Sequence, residues 1–259
     1  MGEEKNPKSH VTFREEGAMM TGNGRDGVKI SAEDRRFFLH CLEHRFLTQD
    51  HAQKSISPGC ATVSQGQRPA IYYRLYRLVK AGFLRKELLQ NREVFLLERK
   101  GLNEICNLNK YNLPLVQPNE LKNVEHDLLV ADARYYFEFH VKADWISERL
   151  FLHQPQTMRH IPDGAFILDN TPIGVEVELT RKSIERYRQI AEYFTRKGPD
   201  RIVYFYRDPA VVSPLAEMTR HMERFGFFPF SENAPPMAQL IGQTQGREVQ
   251  LDQFLRKAK

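Results

Sequence analysis

The sequence predicts an α+β protein with two folded parts, and three observations support this fold class. Residues 30–106 show three amphipathic helical patterns followed by two short strand patterns. Residues 107–123 contain two prolines and little hydrophobic periodicity, which is typical of a linker. Residues 124–232 show the order helix, three strands, helix, strand. A polar tail, 1–29, is expected to be disordered, and a C-terminal extension, 233–259, follows the second part.

Composition and cysteine content favour a globular protein of the cytoplasm. The chain has 259 residues, 41% of them hydrophobic, which is enough to form a core without covalent cross-links. Its three cysteines, Cys41, Cys60 and Cys106, are far apart and form no CxxC pair, so we expect reduced thiols in a cytoplasmic protein. The sequence contains no apolar run of about 18 residues and no apolar signal core, so neither export nor membrane insertion is expected.

The first part begins at Ser31, an N-cap residue with Asp34 three positions later. A second helix fits TQDHAQKSI, and a third runs from about Gln67 to Ala81 and ends at Gly82. The text FLRKELLQNREVFLLERKG then predicts two strands joined by a turn at residues 90–92. Three helices and a hairpin are the elements of a winged helix. The stretch also resembles the winged helix-turn-helix of bacterial regulators.

The third helix and the hairpin are strongly basic, which favours a nucleic-acid partner. Residues 67–100 hold nine Lys or Arg residues against three Glu residues. If Ile71, Leu75 and Leu78 face the core, the outer side of this region presents candidate contacts to double-stranded DNA, namely Arg68, Tyr72, Tyr73, Arg74, Tyr76, Arg77 and, in the turn, Arg92. The alternative is a solvated helix face or a protein-docking module.

The second part opens with a helix from Val124, in VEHDLLVADARYYFEF. Strands are predicted at about 145–152, 161–168 and 173–179, the last two joined by the turn DNTP. A helix over about 183–196 precedes RIVYFY, whose continuous apolar run is typical of a buried parallel strand. A last helix at 214–225 and a strand at 226–230 are expected to complete this part.

Three acidic residues lie within otherwise apolar strand patterns, in IPDGAFILDNTPIGVEVELTRK. Side chains alternate along a strand, so Glu176 and Glu178 share one face, and the DNTP hairpin brings Asp163 beside them. Carboxylates this close repel each other unless a cation lies between them. Mg²⁺ or Mn²⁺ suits oxygen ligands, while Arg159, Arg181 or Lys182 would serve as well. The alternative is that both glutamates face solvent on an edge strand.

Three other residues are weaker candidates for the same site. His126 adjoins Asp127, and His160 precedes Asp163 by three positions. A helix N-terminal or surface position is the preferred interpretation of both histidines, and the alternative is that they join the acids. Tyr187 lies on the helix that follows Glu178. Most tyrosines at such positions are packed in a core, and the alternative is that Tyr187 faces the acids.

The arrangement of PD, a hairpin, ExE, a helix and a strand resembles the PD-(D/E)XK nuclease fold, a restriction-endonuclease-like αβββαβ core. The resemblance implies that Asp163 and Glu176 are metal ligands. The lysine of the family motif is replaced here by Glu178, which would complete the metal shell or orient water. Lys182, four residues later, would steady the charge on a phosphate. A family acid on the first helix would correspond to Glu125 or Asp127.

From about Ser31 to Phe230, the chain resembles the replication-relaxation family of plasmids and integrative elements. The resemblance is carried by EHDLLVADAR, PDGAFIL, EVELTRKSIERYRQIAEYF and RIVYFY. It implies a role in replication, relaxation or conjugative transfer of mobile DNA, with a nuclease domain or an inactive docking module for a relaxase or replication protein. The alternative is a winged-helix transcriptional regulator whose second domain binds an effector or forms a homodimer.

Overall fold

The computed structural model of this chain describes residues 27–56, 67–153, 160–230 and 240–256. Several sequence predictions fall outside these ranges. They concern most of the predicted N-terminal tail (1–26), Cys60 and Arg159. The side chain of Arg68 is likewise outside the described part, although its backbone lies within a helix.

The first half consists of three helices, a strand pair and a short helix. They are α1 (Ala32–Glu43), α2 (Gln49–Ile56), α3 (Gln67–Lys80), β1 (Leu84–Leu89), β2 (Arg92–Leu97) and α4 (Arg99–Glu104). Ser31 and Asp34 form the predicted capping box at the start of α1. Gln90 and Asn91 both have positive φ values, of 50° and 60°, which produces a tight two-residue hairpin turn between the antiparallel strands.

The second half contains the remaining elements. They are α5 (Val124–Tyr136, continued by a π-helical turn at Phe137–Val141), β3 (Ile146–Ser147), α6 (Glu148–Leu152), β4 (Gly164–Leu168), β5 (Thr171–Glu178), α7 (Ile184–Lys197), β6 (Arg201–Tyr206), α8 (Pro209–Met218), β7 (Phe225–Pro229), β8 (Ile241–Thr244), β9 (Arg247–Gln250) and α9 (Leu251–Arg256). The fold class is therefore mixed α+β, as predicted.

The strands of the second half form one seven-stranded sheet whose spatial order follows the sequence, from β3 to β9. The pairs β5–β6 and β6–β7 are parallel, and the other pairs are antiparallel. Asp169 and Asn170, both at positive φ, form the predicted turn between β4 and β5. β5 is thus an interior strand, paired with β4 on one side and β6 on the other.

Three predictions for the second half differ from the structure. The strand expected at 145–152 has two residues, and the rest of the segment is the helix α6. The helix expected at 214–225 begins earlier, at Pro209, where Asp208 caps it, and ends at Met218. The C-terminal extension supplies β8, β9 and α9, whose patterns are too short to identify from sequence alone; pairing with β7 stabilises β8.

Helices cover both faces of this sheet. On one face, Val175, Val177 and Phe205 pack beneath α5 and α9. On the other face, Ile202 and Tyr204 pack against α7 and α8. Because neighbouring residues of a strand point to opposite faces, Glu176 and Glu178 are directed to the side of α7 and α8.

Helix α5 belongs to the cores of both halves. Its residues Ala131 and Tyr135 pack with Phe38 of α1 in one hydrophobic cluster. Val124 and Leu128, at the start of α5, pack with side chains of β2 in another. The two halves therefore share buried surface through one helix. Among the residues that the structure describes, no helix is long and apolar enough to cross a bilayer.

Candidate functional site

The two glutamates of β5 are buried. Glu176 is 7% exposed and Glu178 is 4% exposed, and their strand lies inside the sheet. This placement rules out the alternative of a solvent-facing edge strand. Buried carboxylates are rare unless they are paired, so each of these side chains needs a cation or a hydrogen-bond donor.

Asp163 immediately precedes β4 and lies next to Glu176. The register pairs Gly164 with Val175, so one step further along the ladder places Asp163 opposite Glu176. The Asp163 carboxylate accepts a hydrogen bond from the backbone N–H of Val177, with Oδ2 2.7 Å from the nitrogen. The structure therefore brings Asp163 and Glu176 together across neighbouring strands.

Each of the three acids has a basic partner. His126 Nε2 lies 3.2 Å from Asp163 Oδ2, and His160 Nε2 lies 2.7 Å from Glu176 Oε1. The Lys182 ammonium contacts the Glu178 carboxylate. His126 lies in the first turn of α5, one of the positions preferred for it, whereas the His160 side chain is only 13% exposed and is not a surface residue. Both rings contact the acids, as the alternative interpretation expected.

The site shifts the pKa values of its members. Burial and the nearby charge of Asp163 raise the pKa of Glu176, and the hydrogen bond from His160 opposes this rise. Burial lowers the pKa of Lys182, although the charges of Glu176 and Asp163 act in the opposite direction. Burial by itself lowers the pKa of His126, but hydrogen bonds to Asp127 and Asp163 outweigh it and raise the value to about 10. His126 is therefore an imidazolium at neutral pH.

An ionic network connects this site to the first half. Asp127 accepts from His126, with Oδ1 3.2 Å from Nδ1, and also lies 3.5 Å from the Arg45 guanidinium. Arg45 in turn contacts Glu148, at 2.8 Å. A cavity of about 10 Å³, roughly the space of one water molecule, lies among these residues. Sequence reasoning missed Arg45, which comes from the loop after α1.

Two other predicted acids occupy different environments. Asp127 is buried within this network, whereas Glu125 is exposed and pairs with Arg207. Of the two positions that could match a family acid on the first helix, Asp127 is the one connected to Asp163 through His126.

Asp163 and Glu176 offer carboxylate oxygens, the kind of ligand that Mg²⁺ takes, and an imidazole contacts each of them. Within the part of the chain that the structure describes, no group of three or more His, Cys, Asp or Glu side chains is placed to hold a metal ion. An ion at this site would be bound by Asp163 and Glu176, with water completing its shell. Mg²⁺ is often bound by one or two carboxylates in this way.

Two buried tyrosines lie on the same side of the sheet as Glu176, Tyr187 on α7 and Tyr204 on β6. The Tyr187 hydroxyl donates to the carbonyl of Val211 and accepts from the backbone N–H of Lys182. Tyr187 is therefore a packed residue that fixes the segment after β5, in agreement with the preferred interpretation. Tyr204, which the sequence did not single out, pairs with Glu176 in the parallel ladder between β5 and β6.

The outer side of α3 exposes three aromatic rings. Tyr72, Tyr73 and Tyr76 are 45%, 69% and 56% exposed. Arg77 is exposed beside them, and Arg92 is exposed at the hairpin turn. On β1, Lys86 is hydrogen-bonded to Glu93 at 2.9 Å, and this bond raises the pKa of Lys86.

Arg74 differs from the other predicted DNA contacts. Its guanidinium is bonded to Asp34, with Nε 3.0 Å from Oδ1, and to the carbonyl of Lys29. It thereby ties α3 to the start of α1. Its role in this structure is to stabilise the first half, and Arg77 offers the clearer contact to a partner.

Comparison of the chain with protein-family models, with curated proteins and with solved structures finds no match. Its function must therefore be inferred from the chemistry of its own residues.

Proposed function

We propose that this protein binds double-stranded DNA through the outer side of α3 and the β1–β2 hairpin, in the replication, relaxation or transfer of a mobile element. The observation that carries the DNA contact is the row of exposed tyrosines beside Arg77. A helix with this surface fits the major groove, where guanidinium groups reach phosphates and guanine edges. The assignment to mobile DNA rests on the sequence resemblance.

Three helices followed by a hairpin support a winged helix for this half. An isolated bridge between Leu47 and Phe95 adds a third extended segment beside the hairpin. In this arrangement α3 is the recognition helix and the turn at Gln90 and Asn91 is the tip of the wing. Arg92 then lies beside the DNA backbone.

Arg77→Ala is expected to weaken DNA binding and to reduce its salt dependence by about one unit of the log–log slope, because one phosphate contact is lost. Fluorescence anisotropy over a range of salt concentrations measures both quantities. Arg220→Ala is the matched control, since Arg220 is an exposed arginine of the second half. An unchanged slope for Arg77→Ala would exclude this phosphate contact.

A second candidate function is metal-dependent cleavage of DNA by the second half. It is favoured by the adjacent carboxylates of the partly buried Asp163 and the buried Glu176. A bound Mg²⁺ or Mn²⁺ would supply Lewis-acid polarisation of the phosphate and a water of lowered pKa. Asp163 and Glu176 would hold it, Glu178 would orient water, and Lys182 would steady the negative charge on the phosphate.

Lys182 is suited to this role by its position. Its ammonium contacts Glu178, and it follows β5 directly before α7, so it reaches the acids although the usual lysine position holds Glu178. A lysine whose pKa is lowered by burial gives up its proton more readily than an exposed one. It can therefore act as a proton donor as well as a positive charge.

Incubation of the protein with supercoiled plasmid and Mn²⁺ tests cleavage. We expect nicking by the parent, reduced about 100-fold or more by Asp163→Asn and by Glu176→Gln, because each removes the charge of one metal ligand. Glu217→Gln, at an exposed carboxylate, should nick like the parent. DNA binding without nicking by the parent would instead support a docking module for a relaxase or replication protein.

A further inference from the structure

Tyr204 has a buried hydroxyl without a hydrogen-bond partner among the residues that the structure describes. The side chain is 1% exposed, and its ring stacks on Phe227 and Phe225, with centroids 5.4 and 6.3 Å apart. An unpartnered buried hydroxyl costs about 1–3 kcal/mol. Phenylalanine would fill the same space without this cost, so packing alone does not account for a tyrosine here.

The hydroxyl lies on the same side of the sheet as the candidate site. Tyr204 is paired with Glu176 across the parallel strands β5 and β6, and paired residues project to one face. Burial raises the pKa of Tyr204 well above its ordinary value, and the charges of Glu176 and Asp163 add to this rise. The phenol is therefore protonated, and the carboxylates of Glu176 and Asp163 are close enough for their charges to act on it.

The Glu176 carboxylate needs a second hydrogen-bond donor if it binds a cation. One of its carboxylate oxygens accepts from His160 at 2.7 Å. A divalent cation bound by Glu176 and Asp163 would compete with the His160 imidazole for that carboxylate. A buried carboxylate that turns toward a cation must keep its other lone pairs hydrogen-bonded, because an unsatisfied charged group in the interior is costly.

We propose that Tyr204 is a positioning residue of the carboxylate site, whose hydroxyl donates to Glu176 when that carboxylate binds a divalent cation in place of His160. The inference rests on the proposed metal-dependent function. It assigns a role to a side chain on β6, outside both the PD and ExE segments. His160 and Tyr204 then act as alternate partners of one carboxylate.

Tyr204→Phe removes only the hydroxyl and keeps the stacked ring. Mn²⁺ titration by calorimetry should show affinity reduced about tenfold or more, as expected for the loss of one hydrogen bond to a charged group. Without added metal, the Tm of the variant should equal or exceed that of the parent, because an unpartnered buried hydroxyl has been removed. A merely structural tyrosine would not give weaker metal binding together with retained stability.

Tyr187→Phe is the matched control. Its hydroxyl has two partners, so the variant should lose thermal stability and keep the Mn²⁺ affinity of the parent. Equal Mn²⁺ affinity of Tyr204→Phe and the parent, or a clearly lower Tm for Tyr204→Phe, would overturn the role of Tyr204. A parent that does not bind Mn²⁺, and so resembles Asp163→Asn, would overturn the metal site itself.

Discussion

Arg134→Ala should lower the free energy of unfolding by about 3–5 kcal/mol, the range measured when one partner of a buried ion pair is removed. Arg134, on α5, is 4% exposed and contacts Glu43 of α1 and Glu138, which lies 2.7 Å from its Nε. The substitution leaves two carboxylates of the interior without their shared cation. Because Glu43 belongs to the first half, the contact between the halves should weaken as well.

Chemical denaturation at two pH values measures this effect. Burial already raises the pKa of Glu138, and the loss of Arg134 should raise it further above the unfolded value. Such a group destabilises the fold above its unfolded pKa, and the penalty shrinks as the pH falls through the raised folded pKa. The difference between parent and variant should therefore be larger at about pH 7 than at about pH 4.

The matched control for this experiment is Arg188→Ala. Arg188 and its partner Glu185 are more than half exposed, and exposed pairs contribute about 0–1 kcal/mol. A loss of similar size for both variants would show that burial does not increase the contribution of Arg134 to the free energy of unfolding. The isosteric triple change Arg134→Met with Glu43→Gln and Glu138→Gln should recover much of the lost stability, since no buried charge is then left unpaired.

Gly164→Ala should destabilise the protein by about 3 kcal/mol, at the upper end of the usual cost of overpacking. A Cβ on Gly164 would overlap the indole ring of Trp145, which is itself packed against Phe137 and Phe166. Neither the ring nor strand β4 can move without disturbing that aromatic cluster. Thermal unfolding followed by circular dichroism measures the loss.

The double variant Gly164→Ala with Trp145→Leu tests the cause of this loss. The smaller side chain removes the overlap, so the double variant should be more stable than the sum of the two single changes predicts. Additive losses would show that the added methyl group acts through the backbone of β4 and not through the indole. Because Gly164 follows Asp163, the single variant is also expected to reduce Mn²⁺ binding.

The local elements of this protein were predictable because short-range patterns specify them. The capping box at Ser31, the C-terminal glycine of α3 and the turn at Asp169 and Asn170 are written in consecutive residues, and each forms as predicted. The strand predicted at 145–152 was wrong because local pattern alone does not specify this segment. Its apolar pattern is short, and burial of Leu150 against the first half favours a helix there.

The candidate site was predictable only in part. Alternation along β5 and the hairpin after β4 gave the common face of Glu176 and Glu178 and the approach of Asp163. The partners of Asp163 and Glu176 come from other segments: His126 from α5 and His160 from the residues before Asp163. Spacing along the sequence does not specify these contacts between separate segments.

Local residue patterns specify the α+β class, the order of most elements and the acidic pair on one strand face, because helix and strand periods, caps and turns depend on neighbours within a few residues. Long-range contacts, by contrast, place β5 in the interior of the sheet, give each acid a basic partner and set Tyr204 opposite Glu176 in the ladder. These features arise from strand pairing and helix packing between distant segments, where burial and charge, rather than local propensity, select the arrangement.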